Sequence, residues 1–329
     1  MNRHTLNYII GIDSGGTAMR GCLLRGNGEL LALKDAPSAN YNKLRGEILK
    51  HVAQLARQLC EAAQISTHDI DLAGFCATGV GRPADRQFVT ELLQQARLAQ
   101  HVVAESDALG ALTGAFAGGP GIIVSAGTGA FAHARTHAGQ IVRVGGWGYL
   151  LGDEGSGYYL AKQALNAALQ DWDGRGEPTK LRAIFEKHFG VTSIELIITQ
   201  IYDPAFDRGR VAELAPLVFA AADEGDRVAQ RLVEETGSAL GELAFAAMKR
   251  FEAHTSIPLA LLGKLFRRRE TLLPAFWKVF GTTQQRIQII EPRFEPVLGA
   301  ALLAMQVTHQ KMERAFLENL ARSLSSALP

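Results

Sequence analysis

The chain has 329 residues, of which 47% are hydrophobic and 20% charged, and its formal net charge is +1. That length is sufficient for two domains with separate cores, and the composition is ordinary for a globular protein. A net charge so close to zero lacks the electrostatic signature of a protein that binds nucleic acid or an anionic membrane.

The cysteines and the N-terminal residues bear on the cellular compartment. Cys22, Cys60 and Cys76 lie far apart without a CxxC pair, which argues against a disulfide framework and a zinc site. Residues 1–7 lack the apolar core of a signal peptide, and no apolar run reaches the ~18 residues of a membrane span. We therefore expect a cytoplasmic protein with no membrane partner.

The first element that could carry chemistry is a strand that runs directly into a glycine turn. Tyr8–Ile12 is rich in β-branched residues, as a buried strand should be. Asp13 ends the strand, and Gly15 and Gly16 leave room for a bulky anion beside the hydroxyl of Thr17. Another strand follows, whereas a Walker or Rossmann loop would open a helix. Taken alone, the pattern is equally typical of a simple hairpin.

The same arrangement recurs more than a hundred residues later. The strand Gly121–Val124 leads to a turn that contains Gly127, Thr128 and Gly129, and Ala130–Ala134 is again strand-like. An internal repeat of strand, glycine loop, strand, turn and strand indicates two similar lobes that face each other across a cleft. Two facing glycine loops fit a polyphosphate better than they fit two structural turns.

Helical periodicity and short apolar runs define the rest of the chain. The first lobe has the order β-β-β-α-β-α-β-α, with predicted helices at Leu44–Ala63, Ala84–Ala96 and Ala108–Phe116. Further predicted helices are Tyr158–Gln170, Ala212–Ala222, Val228–Phe251, Pro296–Val307 and Met312–Leu324, and further strands are Leu259–Leu262 and Arg286–Ile290. We place the first lobe at 1–117, joined by the C-terminal helix at 312–329, and the second lobe at 118–311.

Asp107 is the candidate catalytic residue. It follows the predicted strand His101–Ala104 and opens a helix, close in sequence to the second glycine loop. An alcohol nucleophile in phosphoryl transfer needs a group that orients it and accepts its proton, and a carboxylate can do both. The alternative is that Ser106 or Asp107 only caps the helix.

Other polar and aromatic residues near the two loops have both a functional and a structural interpretation. Asp13 could hold Mg²⁺ or its water shell, or accept hydrogen bonds in an Asx turn. Asp153 and Glu154 lie in a glycine-rich entry to a helix, where the helix dipole and capping also favour acidic residues. Trp147 lies between glycines and could form a sugar platform or fill the core.

Three runs of residues, taken with the two glycine loops, resemble a known family. Ser-Asp-Ala at 106–108, Gly-Gly-Trp-Gly at 145–148 and Gly-Asp-Glu-Gly-Ser at 152–156 are similar to the N-acetylglucosamine kinases of the BadF/BadG/BcrA/BcrD ATPase family. The resemblance covers nearly the whole chain. It implies the α/β fold of the sugar kinase/Hsp70/actin superfamily: two ribonuclease-H-like lobes, each a mixed sheet flanked by helices, with ATP in the cleft between them. It also implies an ATP- and Mg²⁺-dependent kinase of amino sugar metabolism that acts on a sugar 6-hydroxyl as a homodimer.

The resemblance assigns roles by position. It implies that the phosphates are contacted by the residues of both glycine loops, namely Gly15, Gly16, Thr17, Gly127, Thr128 and Gly129. It implies that Gly263, after the strand near residue 260, contacts the adenine. Asp107 would be the catalytic base and Asp13 the residue next to the metal. The sugar site would comprise Asn40, Asp107, Gly146, Trp147 and Asp153.

Three alternatives remain open at this stage. A glucosamine kinase would need a carboxylate for the 2-ammonium group, whereas an acetamido group needs an apolar wall. An activator ATPase would need cysteine ligands for an iron–sulfur cluster that bridges a dimer, but the three cysteines are predicted to be packed in the core. A sugar sensor would need a DNA-binding module, and no basic helix-turn-helix precedes Tyr8.

Overall fold

The computed structural model describes residues 6–15, 18–38 and 47–327. The chain divides into two compact units, the first formed by residues 1–120 with 291–329 and the second by residues 121–290. Each unit contains one five-stranded sheet with parallel and antiparallel pairs, flanked by helices. The predicted α/β fold with two lobes is therefore confirmed.

The strands and helices follow the predicted order closely. The strands are β1 Tyr8–Ser14, β2 Ala18–Arg25, β3 Leu30–Pro37, β4 Ile70–Ala77, β5 His101–Ser106, β6 Gly121–Ala126, β7 Ala130–Arg135, β8 Ile141–Gly145, β9 Ile257–Leu262 and β10 Ile287–Ile289. The helices are α1 Ile48–Ala63, α2 Pro83–Gln95, α3 Asp107–Phe116, α4 Gly157–Trp172, α5 Leu181–Phe189, α6 Ile198–Ile201, α7 Arg208–Ala212, α8 Ala215–Asp223, α9 Arg227–Met248, α10 Arg269–Lys278, α11 Pro296–Val307 and α12 Arg314–Ala327. Helix α10 was not predicted as an element, because Pro274 interrupts its pattern.

The first sheet has the order β3-β2-β1-β4-β5 and carries an apolar cluster on each face. Strands β1 to β3 form an antiparallel meander, and β4 and β5 extend it in parallel to β1. Successive side chains of β1 point to opposite faces, so Ile10 packs with the α1 side of the core and Ile9 with the α11 side. The two clusters that result hold the strand ends of this sheet in fixed positions.

Helix α11 belongs to the first unit, although the predicted domain boundaries place it in the second lobe. It packs on β1, β4 and α3. Glycines permit this close approach: a Cβ atom on Gly74 would lie 2.0 Å from the Ala300 carbonyl oxygen, and one on Gly299 would lie 2.0 Å from the Gly110 carbonyl oxygen. The first unit is therefore assembled from two separate stretches of the sequence.

The second sheet repeats the connectivity of the first. Its order, read from the meander outward, is β8-β7-β6-β9-β10, with β9 parallel to β6 and β10 parallel to β9. Its core joins Val124 and Ala132 of the sheet to Leu160, Leu240 and Phe276 of three helices. The predicted internal repeat is thus present as a repeated topology.

Within the described ranges, no helix combines the length and the apolar content that a bilayer crossing requires.

Candidate functional site

Polar side chains cluster at the carboxyl edge of the first sheet. The parallel pairing of β1 with β4 and of β4 with β5 sets their last residues side by side, namely Ser14, Ala77 and Ser106. Asp13, Thr78 and Asp107 directly flank that row, so three strands that are distant in sequence deliver them to one edge. The carboxyl edge of a parallel sheet is where α/β proteins bind ligands.

Asp107 is held by a hydroxyl that the sequence analysis did not single out. The Thr78 Oγ1 hydroxyl donates to Asp107 Oδ2 at 2.6 Å, and the Ala108 N–H donates to Asp107 Oδ1 at 2.9 Å. The helix cap is Ser106, whose Oγ accepts from the Leu109 N–H at 3.3 Å. Asp107 is half-buried and does not serve as the N-cap. The position of Thr78 just after a buried strand and before Gly79 was the signal for its role.

Asp13 is a second carboxylate at the same edge. Its burial, and secondarily the negative charge of Asp107, raise the pKa of Asp13 to about 7. A cation would relieve both effects. Among the described residues, no group of three or more His, Cys, Asp or Glu side chains is arranged to bind a metal. Mg²⁺ nonetheless needs only one or two carboxylates when phosphate oxygens and water complete its shell, so Asp13 fits Mg²⁺ bound together with a nucleotide.

The first glycine turn is described only in part. The Gly15 N–H donates to the Ala18 carbonyl at 3.0 Å, and the Gly15 carbonyl accepts from the Ser38 hydroxyl at 2.6 Å. Both backbone groups of Gly15 are therefore used inside the first unit, which leaves the phosphate contact of Gly15 a prediction. Gly16, Thr17 and Asn40 lie outside the described residues, and their roles also stay predictions.

The second glycine turn leaves open space beside a helix N-terminus. The Gly127 N–H donates to the Gly129 carbonyl at 2.9 Å, and the Gly127 carbonyl accepts from the N–H of Gly157, the first residue of α4, at 2.8 Å. A Cβ atom on Gly127 would meet nothing within 4 Å, and Thr128 is exposed. A tight turn with free space next to the positive end of a 16-residue helix is suited to an anion.

Gly263 lies at the same edge of the second sheet. Leu262, the last residue of β9, pairs with Ser125, the residue before the end of β6, so Gly263 follows the strand beside the second loop. Its φ is +98°, and a Cβ atom there would lie 2.2 Å from the Ala126 carbonyl oxygen. Both the conformation and the close approach require glycine. The structure thus brings the loop 127–129 and Gly263 together.

Residues 145–148, called the tryptophan turn below, present an exposed indole. Gly145 and Gly146 have φ values of +69° and +68°, and the Trp147 side chain is 64% exposed. The Arg143 guanidinium lies 4.7 Å from the centroid of the Trp147 ring. Trp147 therefore does not fill the core, which favours the platform interpretation.

Asp153 connects the tryptophan turn to the second glycine turn. Its side chain is buried, and its Oδ1 accepts from the Gly148 N–H at 3.3 Å. A Cβ atom on Gly129 would lie 2.9 Å from Asp153 Oδ2, so glycine leaves the space that this carboxylate needs. Burial raises the pKa of Asp153, while hydrogen bonds from backbone N–H groups lower it. Ser156 is the N-cap of α4, so Asp153 does not cap this helix. Asp153 instead holds the backbone of the tryptophan turn.

A model of the BadF/BadG/BcrA/BcrD ATPase family matches residues 10–304. The chain belongs to this family. The two-unit fold and the glycine turns at both sheet edges agree with a family whose description is that of an ATPase.

Three curated relatives span almost their whole length on this chain. An N-acetylmuramic acid/N-acetylglucosamine kinase from Clostridium acetobutylicum is 29% identical, with 91% of this chain and 98% of the relative covered. An N-acetyl-D-glucosamine kinase from Dictyostelium discoideum is 28% identical, covering 90% and 97%. A glucosamine kinase from Vibrio cholerae is 26% identical, covering 92% and 98%.

A solved structure agrees with the same assignment. The crystal structure of a proposed N-acetylglucosamine kinase from Chromobacterium violaceum superposes with a TM-score of 0.72 at 29% identity, covering 91% of this chain and 99% of that chain. The predicted family resemblance is confirmed by the family match and by these relatives.

Proposed function

We propose that the protein is an ATP-dependent amino-sugar kinase that transfers the γ-phosphoryl group of ATP to the 6-hydroxyl of N-acetylglucosamine. The observation that carries the proposal is the half-buried Asp107 carboxylate, which is oriented by Thr78 at 2.6 Å and is not the helix cap. Family membership and the names of the curated relatives support the same reaction class.

Each unit carries residues that are suited to part of this chemistry. In the first unit, Asp107 orients the sugar hydroxyl and accepts its proton as the oxygen attacks phosphorus and ADP leaves. In the second unit, the loop 127–129 and the N-terminus of α4 receive the negative charge of the phosphates. Mg²⁺, held on the side of Asp13, would neutralise charge on the nucleotide oxygens. Catalysis then consists mostly of positioning and charge neutralisation.

Substitution of Asp107 tests the proposal directly. Asp107→Asn keeps the size of the side chain and its contact with Thr78 but cannot accept the proton. We expect kcat for N-acetylglucosamine in a coupled ADP assay to fall by about 10²–10⁴, the usual contribution of a general base. Asp85→Asn is the matched control, because Asp85 also lies in the first turn of a helix of the first unit.

The control separates catalysis from helix-terminus electrostatics. Asp85→Asn should leave kcat within about twofold of the wild type, since a first-turn carboxylate affects helix stability by less than about 1 kcal/mol. If Asp107→Asn retains activity within tenfold of the wild type, Asp107 is not the base.

A glucosamine kinase is the second candidate, and one side chain favours it. Glu154 is an exposed carboxylate beside the tryptophan turn, and its Oε2 lies 3.4 Å from where a Cβ atom on Gly152 would be. A carboxylate of this kind could pair with a 2-ammonium group. Arg143 is in the same region and would repel that group, which favours the acetamido sugar. Comparing kcat/KM for the two sugars, with Glu154→Gln as a variant, distinguishes them.

The cysteines do not fit the activator ATPase alternative. Cys22, Cys60 and Cys76 are all buried and form no disulfide. Burial raises the pKa of Cys22 to about 12 and that of Cys60 to about 11, and it raises the pKa of Cys76 as well. A dimer-bridging iron–sulfur cluster needs accessible thiolates. A homodimer, as the family resemblance implies, would form without such a cluster, and analytical ultracentrifugation tests it.

A further inference from the structure

We infer that Arg143 is a positioning residue, which fixes the tryptophan turn and aims the Trp147 indole at the sugar. That the ligand is a sugar rests on the proposed kinase function. That Arg143 fixes the turn rests on the contacts of its guanidinium group. Arg143 lies on β8, outside the residues that the sequence assigned to the site, and reaches the turn from the preceding strand.

Arg143 makes three contacts with the turn. Its Nε donates to the Gly145 carbonyl at 3.1 Å, and a terminal guanidinium nitrogen donates to the Gly146 carbonyl. Its guanidinium carbon lies 4.7 Å from the centroid of the Trp147 ring. One planar group thus binds two successive carbonyls and covers one face of the indole. Only arginine has this fork of donors on a flat cation, so lysine cannot reproduce the arrangement.

The turn needs such support because its backbone is intrinsically free. Gly145 and Gly146 both occupy the left-handed region, and glycine pays the largest conformational entropy when it is ordered. A 64% exposed indole also lacks the packing that would otherwise fix its direction. Gly145 at the near end pairs with Phe131 of β7, and Asp153 holds the far end through the Gly148 N–H. Arg143 supplies the restraint on Gly146 and Trp147 between these two ends.

The competing interpretation is an ordinary solvated surface arginine. Within the described ranges, no carboxylate lies within ion-pair distance of Arg143, so a pairing role does not explain its position. A solvated arginine would have no measurable effect on sugar binding when replaced. A positioning residue would.

The test compares Arg143→Met and Arg143→Lys with Arg175→Met in the full-length protein. Arg175 is the matched control, an exposed arginine that binds Asp173 away from the tryptophan turn. We expect both Arg143 variants to raise KM for N-acetylglucosamine about tenfold, with kcat and KM for ATP within twofold of the wild type. A loss of binding shared by ground state and transition state changes KM alone. Arg175→Met should leave all three values within twofold.

Two further measurements distinguish positioning from general damage. The tryptophan emission that Trp147→Phe removes reports on Trp147, and acrylamide should quench this component more strongly in Arg143→Met because the guanidinium no longer covers the ring. In the Trp147→Phe background, Arg143→Met should raise KM for the sugar by less than threefold, since residues that act through each other are not additive.

The outcomes are separable. If Arg143→Met leaves KM for the sugar within twofold and the quenching unchanged, or if its effect is equally large without Trp147, the inference is overturned. If the wild type phosphorylates no amino sugar, the proposed function fails, whereas the quenching difference still decides whether Arg143 holds the indole.

Discussion

The two sheets share one connectivity but carry different chemistry at their carboxyl edges. The first sheet ends in two acids and a hydroxyl, with Asp13 and Asp107 close enough that the charge of one raises the pKa of the other. The second sheet ends in glycines, with open space at Gly127 and a helix N-terminus beside it. Asp153 at this edge is buried and accepts hydrogen bonds from backbone N–H groups.

The difference suits the two edges to different parts of the proposed phosphoryl transfer. Carboxylates that repel each other are suited to a cation and a proton, whereas glycines beside a helix N-terminus are suited to an anion. Changes at the first edge should therefore alter turnover, and changes at the second should alter nucleotide affinity.

After Asp107→Asn, the largest effect is expected for Asp13→Asn. Removing the carboxylate takes away the proposed Mg²⁺ contact, so kcat should fall by about 10²-fold, comparable to the loss of one strong charge-stabilising group. The melting temperature should rise at the same time, because the substitution removes a charge disfavoured by burial and by Asp107. Asp35→Asn serves as control, since Asp35 is exposed and pairs with Arg20 at 3.1 Å. A lower melting temperature for Asp13→Asn would contradict this account.

The second glycine turn allows a matched pair of substitutions. Gly127→Ala places a methyl group in open space, so it should raise KM for ATP about tenfold without changing the melting temperature. Gly129→Ala places the methyl group 2.9 Å from Asp153 Oδ2, so it should also destabilise the fold, by about 1–3 kcal/mol. Thermal melts and ATP kinetics distinguish the two. Equal destabilisation by both variants would show that the space at Gly127 is structural.

Thr78→Val removes the hydroxyl that orients Asp107 and keeps the shape of the side chain. We expect kcat to fall about tenfold with KM for ATP unchanged, because one hydrogen bond to a charged group contributes about 1.5–3 kcal/mol. Thr78→Ser retains the hydroxyl and should recover most of the activity. A change confined to KM for ATP would place Thr78 with the nucleotide instead.

The last prediction concerns the pH dependence of stability. Burial, with a lesser contribution from Arg143, lowers the pKa of His133 to about 4, and its Nδ1 has no hydrogen-bond partner among the described residues. Between pH 6.5 and 4 this histidine binds a proton in the unfolded chain but not in the folded chain, so its contribution to stability decreases as the pH falls through this window. From pH 7.5 to 5 the contribution of His133 should fall by roughly 2 kcal/mol, measured as the difference between the wild type and His133→Phe. The comparison is needed because Asp13, whose pKa is raised to about 7, changes stability in the opposite direction over the same range. Equal losses in both proteins would exclude His133 as the cause.

Most of the fold could be predicted because its signals are local. The strands are short apolar runs bounded by glycines, and α9 shows a long helical periodicity, so each was found within a few residues of its ends. The placement of α11 was not predictable in this way. Its contact with β4 depends on Gly74 and Gly299, which lie far apart in sequence and show no local sign of their pairing.

The candidate site was predictable where a motif marks it. Asp107 and Trp147 lie in distinctive runs of residues. The structure excludes the structural alternative considered for each: Ser106, not Asp107, is the N-cap of α3, and the Trp147 indole is exposed rather than packed in the core. Thr78 and Arg143 were not predicted, because their roles depend on which groups lie near them in the fold. The Thr78 hydroxyl donates to Asp107, and the Arg143 guanidinium donates to two backbone carbonyls of the tryptophan turn. Asn40, Gly16 and Thr17 lie outside the described residues and remain predictions.

The placement of α11 on the first sheet has a consequence for synthesis on the ribosome. Ile9 and Leu72 pack with this helix, which is translated only after the entire second unit. At ordinary elongation rates that delay is on the order of ten seconds. During this interval one apolar face of the nascent first sheet lacks its cover, so a chaperone that binds exposed hydrophobic strands has its natural target there.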